Sequence, residues 1–407
     1  MKFQISCRWV GGLFWVLTCL AILVWSQVPR FSQYTIGWDL QVYRNAAHSL
    51  TEGHDPYVDG IAVQEEFHRT FAQHPLASPP YTYVYSPITL LLLQLAAKVP
   101  HRLCMTLYWS LYWVCLFAAI WVGWQMVEEK EKSVFALLAP VAVFFPGLLE
   151  NDALFSGNVA YVVYGAVLCA ALHGWRRNEW RWFYLAVLIS SCFKAPFLSL
   201  LAIPVLGARK QWLPAGVVGA VGVAVFALQP HVWPSLFHHY LQAVELQFSY
   251  NRDFSASLSG LAAGAMYDMA PYKLTGAVAY IATVAGVGGV LLKLRAGFLR
   301  GEFALMQWAP LTVVGSLLLN PRIMEYDLAP ITFFMLILLW RTIAWHNTDR
   351  RSWITMLVVL VCLNAMSVSM WKPIACVTSI GVFCAGAWHL WRQGSGAVSG
   401  AAQVVAG

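Results

Sequence analysis

The chain has 407 residues, of which 59% are hydrophobic and only 11% charged, with a formal net charge of +7. Soluble domains are about half apolar, so this composition excludes a water-soluble globular protein. The apolar runs are continuous rather than alternating, which excludes a transmembrane β-barrel, and the basic residues fall in short loops between runs, which is no nucleic-acid signal.

Taken in chain order, candidate spans lie at about 10–26, 103–126, 133–148, 159–173, 182–193, 196–207, 213–229, 274–292, 303–319, 328–344, 353–371 and 373–391. Most are near the length that crosses a bilayer as a helix, and the short pair around Lys194-Ala195-Pro196 reads as two spans or one kinked helix. Lys2 and Arg8 precede the first run as in a signal peptide. Val24-Trp25-Ser26-Gln27-Val28-Pro29 offers no small-x-small cleavage site, so the run is expected to stay as a span. The nine cysteines lie in or beside apolar runs without a CxxC pair, and read as small hydrophobes between helices.

Placing both termini in the cytoplasm puts an excess of Lys and Arg in the cytoplasmic loops, among them Lys130, Lys132, Arg176, Arg177, Arg181, Arg209 and Lys210. That assignment requires the leucine-rich stretch 87–98 to lie in the interface or to dip in and return. The expected architecture is an all-α polytopic membrane protein of about 12 transmembrane helices, in one domain over 1–392 with a disordered Gly/Ser/Ala-rich tail at 393–407. Polar, irregular segments then collect outside, where any chemistry belongs: a first loop at 27–102, a loop at 230–272, and turns at 149–158 and 320–327.

The first of these opens with WDLQVYRNAAHSLTEGHDPY. Read as a helix over 39–52, it carries Asp39, Tyr43, Ala46, Ala47 and Leu50 on one face. Gly53 stops it and Asp55-Pro56-Tyr57 turns the chain. Asp39 suits a helix N-cap or, at the water–lipid boundary, a group that meets a lipid-borne reactant. Lys194 interrupts an apolar region, where an ionisable group snorkels or faces a cavity; as a point charge it suits a phosphate. Arg322, beside Glu325 and Asp327, suits bidentate recognition of an anion or a local ion pair. Arg252 is a third cation, with Asp253 as its alternative partner. Asn151, Asp152, Gly157 and Asn158 crowd one turn, which turn formation alone would explain. His238 and His239 lack a carboxylate at metal-ligand spacing. There is no Walker, GxSxG, HExxH or DxD motif to support ATP-driven transport, serine hydrolysis or zinc proteolysis.

Asp39, Tyr43, Ala46-Ala47, Leu50, Gly53 and Asp55-Pro56-Tyr57 together resemble the first-loop signature of glycosyltransferase family 87. These are polyprenol-phosphate-sugar-dependent enzymes of the GT-C superfamily, including mannosyltransferases that build phosphatidylinositol mannosides. Tyr85-Ser86-Pro87 resembles the family's Tyr-Pro-Pro segment and Ser156-Gly157-Asn158 its Gly-Gln turn. Lys194-Ala195-Pro196 resembles its Lys-x-Pro, and Asn320-Pro321-Arg322 with Tyr326-Asp327 its late external motif. Ser86 and Asn158 depart from the pattern, as do Glu325, Tyr326 and Asp327 where a histidine is common. The resemblance implies a GT-C fold and an inverting transfer of mannose or another hexose from a polyprenyl-phosphate donor to a lipid-linked or envelope glycan acceptor. The active site would face the extracytoplasmic side of the plasma membrane. It implies Asp39 as the catalytic base, with Lys194, Arg322 and Arg252 on the donor phosphate. Tyr43, Asp55, Tyr57, Asn158, Asp152, Glu325 and Asp327 would line the substrates, and no cofactor or metal is expected. The alternative is a transporter or flippase of lipid-linked sugars, which would call for inverted repeats and mid-span charge.

Overall fold

The computed structural model describes residues 37–70, 80, 82–142, 153–250, 252, 254–269, 271–344 and 350–405. The expected first span at 10–26, part of 133–148, and Asp152 lie outside them. Every regular element among the described residues is helical: α1 (Trp38–Thr51), α2 (Pro56–Thr70), α3 (Pro87–Ala97), α4 (His101–Trp124), α5 (Lys132–Ala142), α6 (Val159–Arg177), α7 (Arg181–Phe193), α8 (Ala202–Gly207), α9 (Trp212–Val232), α10 (Pro234–Ser249), α11 (Leu258–Ala265), α12 (Tyr272–Arg300), α13 (Leu305–Leu318), α14 (Glu325–Leu328), α15 (Thr332–Ile343) and α16 (Arg350–Val405). The last is two helices merged across a kink at Met370, with Pro373 just beyond, and it continues through the Gly/Ser/Ala-rich 393–405 segment.

Among the described residues, six helical stretches are long and apolar enough to cross a membrane: His101–Trp124, Val159–Arg177, Trp212–Val232, Tyr272–Arg300, Glu325–Ile343 and Ser369–Gln393. Shorter apolar helices at Pro87–Ala97, Arg181–Phe193, Ala195–Gly207, Leu305–Leu318 and Arg351–Ser367 complete the bundle. α4 shows why this surface belongs in lipid. Leu103, Leu107, Leu111, Val114, Phe117 and Trp121 recur at three- and four-residue spacing and are all exposed, a stripe that a water-soluble monomer would bury. The chain is a helical membrane protein.

At the centre, α13 and α15 are buried along nearly their whole length, with Trp308 and Trp340 almost inaccessible. α6 approaches α4 so closely that a Cβ at Gly165 would collide with the carbonyl oxygen of Cys115; small residues allow this packing where no hydrophobic effect drives helices together. One end of the bundle is pinned by Arg341. Its guanidinium spans both Glu131 oxygens at 3.2 and 2.9 Å and also donates to the carbonyls of Met306 (2.6 Å) and Met126 (3.1 Å). The Arg341 and Glu131 side chains are 9% and 6% exposed, so the pair is desolvated and depends on this full set of bonds.

The stretch around Lys194 is a broken helix. α7 ends at Phe193, Lys194 is extended, and a 3-10 segment, Ala195–Leu201, leads into α8. Pro196 is the cause: its ring has no N–H for the carbonyl of Cys192 four residues back and disfavours helical backbone at Ala195. The released carbonyl is taken by Thr89 Oγ at 2.8 Å and Ser86 Oγ at 3.4 Å, which docks the start of α3 against the break.

The segment 230–272, read from sequence as irregular, folds into α10 and α11. α9 continues through Pro230, and Pro234 occupies the first turn of α10, where a missing N–H costs nothing.

Candidate active site

A cavity of about 510 Å³ sits where α1, the segment 82–86, the Lys194 break, α10 and the 320–327 turn converge. α1 starts one residue earlier than the sequence suggests. Asp39 falls in its first turn, on the buried face with Leu40, Tyr43, Ala46 and Ala47. It is not a cap, because the N-cap is Gly37 and no side chain fills that role.

Asp39 is instead held from across the fold. Asn158 caps α6, with its Oδ1 accepting from the amide of Ala160 at 2.9 Å. That bond fixes which end of the amide is which, so Nδ2 points at Asp39 and donates to Oδ2 at 2.7 Å. The backbone strengthens the join: Gly37 N–H donates to Phe155 O at 2.7 Å and Asp39 N–H to Ser156 O at 2.9 Å. Gly157, at φ +72°, lets the turn lie flat on α1. A Cβ there would sit 3.1 Å from the Leu40 Cβ in a backbone conformation L-residues avoid.

Behind Asp39 lies a phenol network. Asn158 Nδ2 also donates to Tyr85 OH at 3.2 Å, Tyr85 and Tyr43 share a hydroxyl hydrogen bond of 2.7 Å, and Tyr43 OH accepts from the Val159 amide at 3.4 Å. Tyr57, fully buried, donates to the Tyr85 carbonyl at 2.6 Å. Burial pushes the Tyr85 phenol well up, and the neighbouring Asp39 charge raises it further; burial is also the main cause at Tyr43, followed by Tyr85 and Asp39. Both remain neutral hydroxyls.

The cations Lys194 and Arg322 line the same cavity. Lys194 Nζ lies 4.0 Å from the centre of the Tyr326 ring and 5.4 Å from that of Tyr85, a cation–π cradle. Asp327, Arg322, Asp39 and Glu325 line the same cavity. The Arg322 guanidinium lies 5.5 Å from the Phe248 ring centre, and its amide is held by Asn320 Oδ1 at 2.9 Å. Asp327 Oδ2 accepts from the Met324 amide at 3.0 Å.

The residues singled out by sequence therefore divide. Asp39, Lys194, Arg322, Glu325 and Asp327 line the cavity, and Asn158, Tyr43 and Tyr57 stand behind it as supports. Asp55 lies off the cavity, bonded to the Tyr57 amide at 2.9 Å and to His239 Nδ1 at 2.7 Å, where it ties α2 to α10. Arg252 is exposed, pairs with Asp268 at 3.0 Å and does not line the cavity. Sequence reasoning passed over Lys372, which lines the cavity from the kink in α16. The signal was present, since Trp371-Lys372-Pro373 repeats the Lys194 pattern of a base beside a proline between apolar runs. It also missed the α10 wall of Tyr240, Val244, Gln247 and Phe248, a stripe hidden once the segment is read as a loop. Among the described residues no cluster of His, Cys, Asp and Glu could hold a metal ion.

A cavity lined by the carboxylates Asp39, Glu325 and Asp327 together with the cations Lys194, Arg322 and Lys372 suits a reaction that takes up a proton and releases an anion. Searches of curated proteins and of solved structures returned no match. The family model of glycosyltransferase family 87 matches residues 83–321, a stretch that includes Tyr85, Asn158, Lys194 and Arg252 and begins after Asp39. With more than half its length matched, the chain belongs to glycosyltransferase family 87 and is a glycosyltransferase.

Proposed function

We propose that the protein is an inverting transferase of GT-C architecture that moves a hexose, mannose first among the candidates, from a polyprenyl-phosphate carrier to a lipid-linked or envelope glycan acceptor. Twelve spans place both termini in the cytoplasm of the plasma membrane and open the chamber to the extracytoplasmic side. The acceptor hydroxyl oxygen attacks the anomeric carbon and its proton passes to Asp39, while the bond from that carbon to the carrier phosphate oxygen breaks. The leaving group is already a stable anion and needs no protonation. Lys194 and Arg322 stabilise its charge. Glu325 and Asp327 hydrogen-bond sugar hydroxyls, and Asn158 and Tyr43 hold the base in place.

The observation that supports this reading best is the shared chamber of Asp39, Lys194 and Arg322, contributed by three segments distant in sequence. The test is transfer by the purified, reconstituted protein with a panel of radiolabelled polyprenyl-phosphate sugars. One sugar is expected to be transferred with inversion, and Asp39→Asn is expected to lower the rate by about a hundred- to ten-thousandfold while melting as the wild type does. Wild-type rates in the folded Asp39→Asn protein would overturn the role of Asp39. Transfer exclusively from nucleotide sugars would overturn the donor.

A further inference from the structure

A second cavity, of about 820 Å³, lies between α1, α3 and the start of α4. Its apolar lining includes Leu91, Leu93 and Leu95 of the leucine-rich α3, and its polar lining includes Arg44 from α1 and Lys98 and His101 from the α3–α4 junction, all three exposed. His48 also lines it but is paired with Glu52 at 3.1 Å. Among the described residues no carboxylate lines the cavity and no ion pair engages Arg44, Lys98 or His101. Two cations, Arg44 and Lys98, with a histidine beside them in the lining of an apolar trough match an amphiphile with an anionic head.

We propose that this cavity binds an acidic phospholipid of the surrounding leaflet. Its phosphodiester would rest on Arg44, Lys98 and His101 and an acyl chain would lie along α3. A molecule seated here is not positioned to react. Asp39 lines the first chamber and not this one, and Tyr43, bonded through its hydroxyl to Tyr85, stands on the wall of the second. The lipid is therefore a ligand distinct from either sugar substrate, bound to the helix that carries Asp39.

The test needs no sugar transfer, so its outcome is separate from that of the catalytic reading. The full-length protein is reconstituted in phosphatidylcholine nanodiscs containing phosphatidylglycerol, released into mild detergent, and examined by native mass spectrometry. Wild type is expected to retain one phosphatidylglycerol with a preference of roughly tenfold over phosphatidylcholine, the size that one or two interfacial bases supply. The Arg44→Gln/Lys98→Gln/His101→Gln variant should lose that preference while melting normally in phosphatidylcholine. Equal retention of both lipids by wild type, or an undiminished preference in the folded variant, overturns the proposal. So does displacement of phosphatidylglycerol by an equimolar polyprenyl phosphate, which would give the cavity to the sugar carrier.

Discussion

Asn158 and Asp39 are 119 positions apart in the chain and 2.7 Å apart in the fold. One amide does two jobs. Its oxygen caps α6, and its nitrogen holds one carboxylate oxygen of α1. The cap makes the orientation of the amide a consequence of backbone geometry, and the carboxylate inherits that order.

Asn158→Asp separates the two jobs, because aspartate also caps helices well but puts a second negative charge where a donor stood. Like charges disfavour ionisation, so Asp39 should give up its proton only at higher pH. The acidic limb of the pH–rate profile is expected to move upward by about one pH unit or more, with transfer near neutrality reduced and the melting temperature little changed. A lower rate with an unmoved acidic limb would limit Asn158 to shaping the turn.

Tyr43 and Tyr85 should make the protein sensitive to alkali. Burial, reinforced at Tyr85 by the Asp39 charge, raises both phenols above their ordinary value of 10.0. The stability they contribute is complete below pH 10, where folded and unfolded chains are both protonated. It is lost as pH climbs beyond that value, because only the unfolded chain ionises freely. Melting temperatures measured from pH 8 to 11.5 should fall steeply above 10, and less steeply in Tyr43→Phe and Tyr85→Phe.

The cations should differ in what they contribute. Lys194→Gln is expected to lower transfer by about a hundred- to a thousandfold through loss of transition-state stabilisation. Lys372→Gln, in the same cavity lining, should act mainly on KM for the donor. If Lys372→Gln lowers kcat and leaves KM unchanged, Lys372 belongs with Lys194 at the leaving phosphate.

Glu131→Gln tests the bundle rather than the chemistry. It removes the nearer of the two acids beside the buried Arg341 guanidinium and leaves Glu128 at 3.9 Å, so the loss falls below the ~3–5 kcal/mol of a buried charge stripped of every partner. Detergent melting should shift down by many degrees, and the double variant Glu131→Gln/Arg341→Met should recover much of it.

Much of this architecture is written in local pattern. The apolar runs mark the helices, the spacing of Asp39, Tyr43, Ala46 and Ala47 marks the buried face of α1, and Lys194-Ala195-Pro196 marks the break. What escaped the sequence is non-local or rests on proline. Asn158 reads as an ordinary turn residue until its partner comes from the other side of the fold. Asp55 looks like part of a catalytic motif, yet it bonds to His239 on a helix that Pro230 and Pro234 disguise as a loop. Lys372 was hidden by the same apolar surroundings that made Lys194 conspicuous, because its kink falls between two runs that otherwise read as separate spans.

The proline at 196 and the threonine at 89 are a lock and its key. Pro196 strips the Cys192 carbonyl of its helical partner, and Thr89 supplies a replacement from 103 residues away. Pro196→Ala would let the two halves rejoin and swing the ammonium of Lys194 off its aromatic seat, whereas Thr89→Val alone would leave the Cys192 carbonyl only the longer bond from Ser86 Oγ at 3.4 Å. Each substitution harms the protein for an opposite reason, so the two should be less damaging together than their separate losses predict.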